Sequence, residues 1–184
     1  MTEPTKEELV RQILQAIDPN PQREGLQDTP ARVVRSWLEM FGGHQMEASL
    51  KLTTFDAEGS DEIVLLKNIE FYSTCEHHML PFSGIAHVAY IPTTTIVGIS
   101  KLARVVDVFG RRLQNQERIT MQVTRLLEEK LEPRGVACIL EAKHHCMQCR
   151  GVGKQNSKMV TSSMRGVFKD DATARNELMQ LIAL

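Results

Sequence analysis

With 184 residues, 42% of them hydrophobic and 24% charged, the chain has the length and composition of one globular domain with a small appendage, which excludes a disordered or fibrous chain. A formal net charge of −1 excludes a surface that coats nucleic acid through cationic excess. No apolar run approaches the roughly 18 residues of a membrane span, and the start MTEPTKEELVRQ lacks the regions of a signal peptide, so a cytoplasmic setting without nucleic acid or membrane partners is expected.

Thr5 followed by Glu8 fits a capping box, and Leu9, Ile13, Leu14 and Ile17 recur at helical spacing, which predicts a helix over 5–17 that Pro19 and Pro21 stop. A second helix is signalled by Thr29 as cap and Pro30 at the first helical position; it carries Val33, Val34, Trp37, Leu38 and Phe41 and ends at Gly42 and Gly43. The polar stretch 44–60 reads as a connection. Residues 1–60 are therefore expected to form a helical arm with its connection, and 61–184 the main domain.

In that domain Ile63, Leu65, Ile69 and Phe71 share one face at period two, with Lys67 interrupting, which predicts a strand over 62–72. GIAHVAYIP reads as a second strand ended by Pro92, and TIVGI as a shorter apolar piece. A helix capped by Ser100 runs to about Leu113, burying Leu102, Val105, Val106 and Phe109, and another from Gln116 to Leu131 is closed by Pro133 and Gly135. VACILEA (136–142) and KMVTSSMRGVF (158–168) have the β-branched content of strands, and a last helix covers 172–182. The order strand, strand, helix, helix, strand, strand is α+β.

Four cysteines are few for a disulfide scaffold, and three of them lie beside histidines. Cys138, inside VACIL, reads as an ordinary buried thiol. In CEHHMLP, Cys75 and His78 have the spacing at which two side chains of a tight turn reach one ion; in an extended segment Cys75 and His77 would share a face instead. HHCMQC follows a strand, so His144 and Cys146 would point the same way if it stayed extended. Two arrangements fit: a closed zinc site that adds Cys149 to Cys75, His78 and Cys146, or a site with three protein donors and a water whose pKa falls to roughly 7. The spare histidines His77 and His144 tilt toward the second, since proton transfer needs free imidazoles and a closed staple does not. Three thiols resemble ligation more than one nucleophile.

Ser100, Lys101 and Arg104 open a helix whose dipole disfavours cations there, an arrangement that suits a docked phosphate, although taken alone these residues fit better a capped helix with a solvated basic edge. Arg150 adds a cation beside the thiols, whereas Arg111, Arg112 and Arg118 read as surface charge. Gln116 and Glu117 suit a helix N-terminus, and a carboxylate there would also complement the donor row of a guanine edge.

Taken together, CEHHMLPFSG, GISKLARVVDVFGRRLQNQERIT, and HHCMQCRGV followed by NSKMVTSSMRGVF closely resemble GTP cyclohydrolase I, the zinc enzyme that begins pterin and folate synthesis. The resemblance runs from REGLQDTPARV to the C-terminus and is densest from Cys75 to Phe168. It implies a T-fold, an antiparallel four-stranded sheet in ββααββ order behind N-terminal helices, assembled as a decamer of two pentamers with active sites between subunits. It further implies that Cys75, His78 and Cys146 bind zinc and that His77 and His144 transfer protons. Ser100, Lys101, Arg104 and Arg150 would hold the triphosphate of GTP, and Gln116 and Glu117 would read guanine. The implied reaction is hydrolytic opening of the imidazole ring at C8, release of formate and closure to 7,8-dihydroneopterin triphosphate, with His144 as proton donor at ring opening.

The chain departs from the family pattern at His145 and Cys149, where methionine is usual, and at Gly153, where glutamine is. Cys149 is expected to stay off the metal. The alternatives are a zinc module that only binds partners, or another T-fold enzyme such as a nitrile reductase with a nucleophilic cysteine.

Overall fold

The computed structural model describes residues 3–184. The chain divides into two compact units at Gly42/Gly43. In the first, α1 (Lys6–Ile17) packs against α3 (Thr29–Met40), with the short α2 (Glu24–Gln27) between them in sequence. The capping box is present: the Thr5 hydroxyl accepts from the Glu8 N–H at 3.2 Å, and the Glu8 carboxylate accepts from the Thr5 N–H at 2.6 Å. Pro30 sits in the first turn of α3, where its missing N–H costs nothing.

The second unit contains α4 (Gly43–Ser49), β1 (Thr54–Asp56), β2 (Val64–Cys75), β3 (Pro81–Ile91), β4 (Thr95–Val97), α5 (Ile99–Gly110), β5 (Leu113–Gln114), α6 (Gln116–Leu131), β6 (Gly135–His144), α7 (His145–Gln148), β7 (Met159–Gly166), α8 (Val167–Asp170) and α9 (Ala172–Ala183). Its main sheet has the order β5-β2-β3-β6-β7, antiparallel throughout except for the two-residue β5, which runs parallel to β2. This is the expected α+β arrangement of two strands, two helices and two strands. Phe71, Phe82, Leu102, Val105, Ile119 and Leu140 are fully buried in a core shared by the sheet, α5 and α6. Each such side chain contributes about 1.5–3 kcal/mol through burial. A smaller cluster of Ala89, Ile91, Ala137, Phe168 and Leu178 gathers Ile63 and Leu65 around it.

Five expectations change. The boundary near residue 60 moves to Gly42/Gly43, because the stretch 44–60 is built into the main domain. β1 pairs with β4, and the buried Arg112 guanidinium donates to Gly43 O at 3.1 Å and to Glu47 at 2.6 Å, so Arg112 is a structural brace and not surface charge. The strand over 62–72 begins at Val64, runs to Cys75 and does not keep one face. A register shift between Leu66 and Ile69, with Asn68 at φ 59°, sends Ile63 and Leu65 to the smaller cluster while Ile69 and Phe71 face the main core. Gly98, not Ser100, occupies the N-cap of α5, and no side chain caps it. Finally β6 stops at His144 and the chain turns into α7, so the thiols beyond it are not on an extended run.

Candidate metal centre

Strand register gathers the site at one end of the sheet. Cys75 pairs with Gln114, Thr74 with Pro81, and Phe82 with His144, so β5, β2, β3 and β6 present adjacent residues there. Between β2 and β3 the Cys75 N–H donates to Leu80 O, and the Met79 N–H to Cys75 O, each at 2.8 Å. This tight turn, with Met79 left-handed at φ 53°, brings His78 back toward Cys75, the turn geometry that the three-residue spacing permits. On the other side α7 carries Cys146 in from the end of β6.

The ligand atoms of Cys75, His78 and Cys146 lie within 4.8 Å of one another. A tetrahedral zinc with bonds of about 2.0–2.3 Å has donor-to-donor edges of roughly 3.3–3.8 Å, so a contraction of order 1 Å closes the three around an ion. Burial first, and then the Cys75 sulfur, push the Cys146 thiol up; ionising two such thiols together is costly unless a cation shares them. Cys149, at the end of α7, is exposed and its Sγ donates to His145 O at 3.0 Å, outside the three-donor group. Cys138 is fully buried, with its thiol pushed far up by burial.

Both spare histidines flank these donors. His77 is exposed, with Nδ1 at 3.9 Å from Cys75 Sγ. His144 is half-buried, stacks on Phe82 with ring centroids 4.4 Å apart and planes 6° from parallel, and meets Gln116 Oε1 with Nε2 at 2.9 Å. Burial lowers its pKa, an effect that Glu117 partly opposes. Gln116 is buried and its Nε2 donates to Leu140 O and Met159 O at 3.1 and 3.0 Å, whereas Glu117 is exposed on the first turn of α6.

Arg150 reaches the group: its Nη1 donates to His78 Nε2 at 3.1 Å. Among the described residues no hydrogen bond or ion pair joins Ser100, Lys101 or Arg104 to it. They occupy the start of α5, whose other end backs onto β2, where a Cβ on Gly110 would lie 3.1 Å from Tyr72 O. At 1.5 Å per residue, Lys101 stands about 13 Å along the axis from that end.

A profile of the family described as GTP cyclohydrolase I matches residues 6–183. Proteins named GTP cyclohydrolase 1 are 53% identical in Streptomyces coelicolor, over 96% of this chain and 88% of theirs, and 54% in Deinococcus radiodurans, over 96% and 82%. The one from Wolinella succinogenes is 53% identical over 94% and 93%. The chain belongs to the GTP cyclohydrolase I family. Among solved structures, that of an archaeosine synthase QueF-Like in the apo form aligns with 57% of this chain and 94% of its own at 18% identity, with a TM-score of 0.47.

One pair beside the candidate donors of this GTP cyclohydrolase I family member was not evident in the sequence. Arg118, expected as surface charge, grips Glu76 with Nη1 and Nη2 at 2.6 and 2.9 Å, and Asn115 adds a bond at 3.3 Å. The Arg118 guanidinium holds the Glu76 carboxyl below the usual carboxylate range. Because Glu76 follows Cys75 directly, this pair ties the turn to the start of α6. The signal was the carboxylate inside CEHH, whose partner lies 42 residues away in sequence.

Proposed function

We propose that the chain is a zinc-dependent GTP cyclohydrolase I, which opens the guanine imidazole ring of GTP hydrolytically at C8, releases formate and forms 7,8-dihydroneopterin triphosphate, the first step toward tetrahydrofolate and other pterins. The observation that carries this reading is the convergence of Cys75, His78 and Cys146, with Cys149 turned away and two further imidazoles alongside.

Two thiolates and an imidazole suit zinc, and three protein donors leave room for solvent or substrate. An ion held by Cys75, His78 and Cys146 would supply Lewis-acid activation of water, whose pKa such binding lowers to about 7. His144 donates a proton to the leaving ring nitrogen, and its burial favours release of that proton once delivery is required. His77, exposed beside Cys75, exchanges protons with solvent during the second hydration. Glu117 and the main-chain N–H groups at the start of α6 are the groups available to a guanine edge, the carboxylate accepting from its ring N–H and amino donors.

The triphosphate needs cations. Arg150 stands beside His78, while Ser100, Lys101 and Arg104 sit at the far end of α5. We infer that a second copy of the chain presents its own Ser100, Lys101 and Arg104 to this centre. That division places the active site between subunits, in keeping with a decamer of two pentamers. The test is incubation of zinc-loaded protein with GTP, followed by mass analysis of the product. Equal amounts of formate and a pterin triphosphate are expected; full zinc occupancy with GTP unchanged would leave only a metal-stapled binding module.

A further inference from the structure

We propose that Gln116 is a positioning residue that holds His144 as its Nε2–H tautomer, so that the lone pair of the neutral ring lies at Nδ1. The inference rests on the reading of His144 as the proton-transfer residue. The direction of the Gln116 amide is fixed by its neighbours: Nε2 faces the carbonyls of Leu140 and Met159, which can only accept. Turning the amide over would set its oxygen against both carbonyls. Its Oε1 therefore faces His144, and an amide oxygen only accepts, so the His144 nitrogen 2.9 Å away must carry the hydrogen.

The surroundings make this a rigid device. Gln116 is 1% exposed, at the first helical position of α6, and the two carbonyls belong to neighbouring strands β6 and β7. Phe82 fixes the plane of the His144 ring by stacking, and the backbones of these two residues are paired across β3 and β6. One contact sets the plane and the other the rotation within it. Both Nε2 hydrogens of Gln116 are consumed inside the protein and Oε1 already meets His144, so only the second lone pair of that oxygen is left for a base edge. Any part this side chain takes in reading guanine, which the family resemblance implies, is then confined to accepting at Oε1, beside Glu117 and main-chain N–H groups.

The experiment is ¹⁵N solid-state NMR of zinc-loaded protein labelled at histidine, at pH 9, with His144 assigned by its loss in His144→Gln. The wild type should show a protonated Nε2 and a bare Nδ1; the opposite tautomer would overturn the proposal. In Gln116→Met a second tautomer should appear, kcat should fall about 10- to 100-fold, and the KM for GTP should move less than about threefold. A Gln116→Met enzyme whose KM rises tenfold at unchanged kcat would return the side chain to base reading. The wild-type spectrum decides the tautomer even if the protein releases no formate from GTP, so the two readings fail separately.

Discussion

At the scale of single residues, the three candidate donors separate from the thiol beside them. Cys149 is exposed and bonded to His145 O. Cys149→Ala should therefore keep full zinc content and activity, whereas Cys75→Ala and Cys146→Ala should each lose both; metal analysis of purified variants checks this. Arg118 is a subtler case. By clamping Glu76 it pre-orders the turn that carries Cys75 and His78, so Arg118→Gln should weaken zinc binding on the order of 10-fold, read by competition with a chromogenic chelator. The Cys75, His78 and Cys146 cluster was legible because thiols and imidazoles at short spacing stand out in a sequence. The Arg118–Glu76 pair was not, because a charged residue on a helix looks the same in sequence whether it meets solvent or a partner strand.

Among the elements, the sheet holds the donors in register and its tolerances are tight. A Cβ on Gly84 would lie 1.9 Å from Glu141 O, so β3 and β6 can approach only because that side chain is missing. Gly84→Ala should cost about 3 kcal/mol or more, visible as a lower denaturant midpoint with an unchanged slope. The bulge in β2 has its own signature in pH. Asn68 donates its N–H to His87 Nδ1 at 3.4 Å, and burial first, then Lys67, lowers the His87 pKa, with Glu141 opposing. The unfolded chain then binds more protons between the folded value and the ordinary value of about 6.5, so stability should fall as pH drops through that window and level off below it. His87→Gln should flatten that slope, as measured by unfolding at a series of pH values. Strand order and both long helices could be read from apolar period and stop signals. The bulge could not, since Lys67 and Asn68 interrupt the period without saying which face resumes, and neither could the turn into α7, where HHCMQC has no Gly or Pro to mark it.

For the whole molecule, the division of labour between copies is the testable feature. Ser100, Lys101 and Arg104 occupy the end of α5 remote from Tyr72, while Arg150 stands by His78. If sites are shared between subunits, Lys101→Ala and Cys146→Ala proteins, each inactive alone, should regain activity when refolded together. Random co-assembly in equal amounts would restore about a quarter of the sites. No recovery in a mixed assembly would place each site within one chain. Among the described residues no helix is long and apolar enough to cross a membrane. The central claim, however, concerns the metal itself: three protein donors, two sulfur and one nitrogen, with the remaining coordination left to solvent. X-ray absorption at the zinc edge of the loaded protein tests it directly. The account predicts two sulfur neighbours and two lighter ones, with one of the lighter ones replaced or lengthened when GTP binds; three sulfurs and a nitrogen, with Cys149 in the shell, would contradict it.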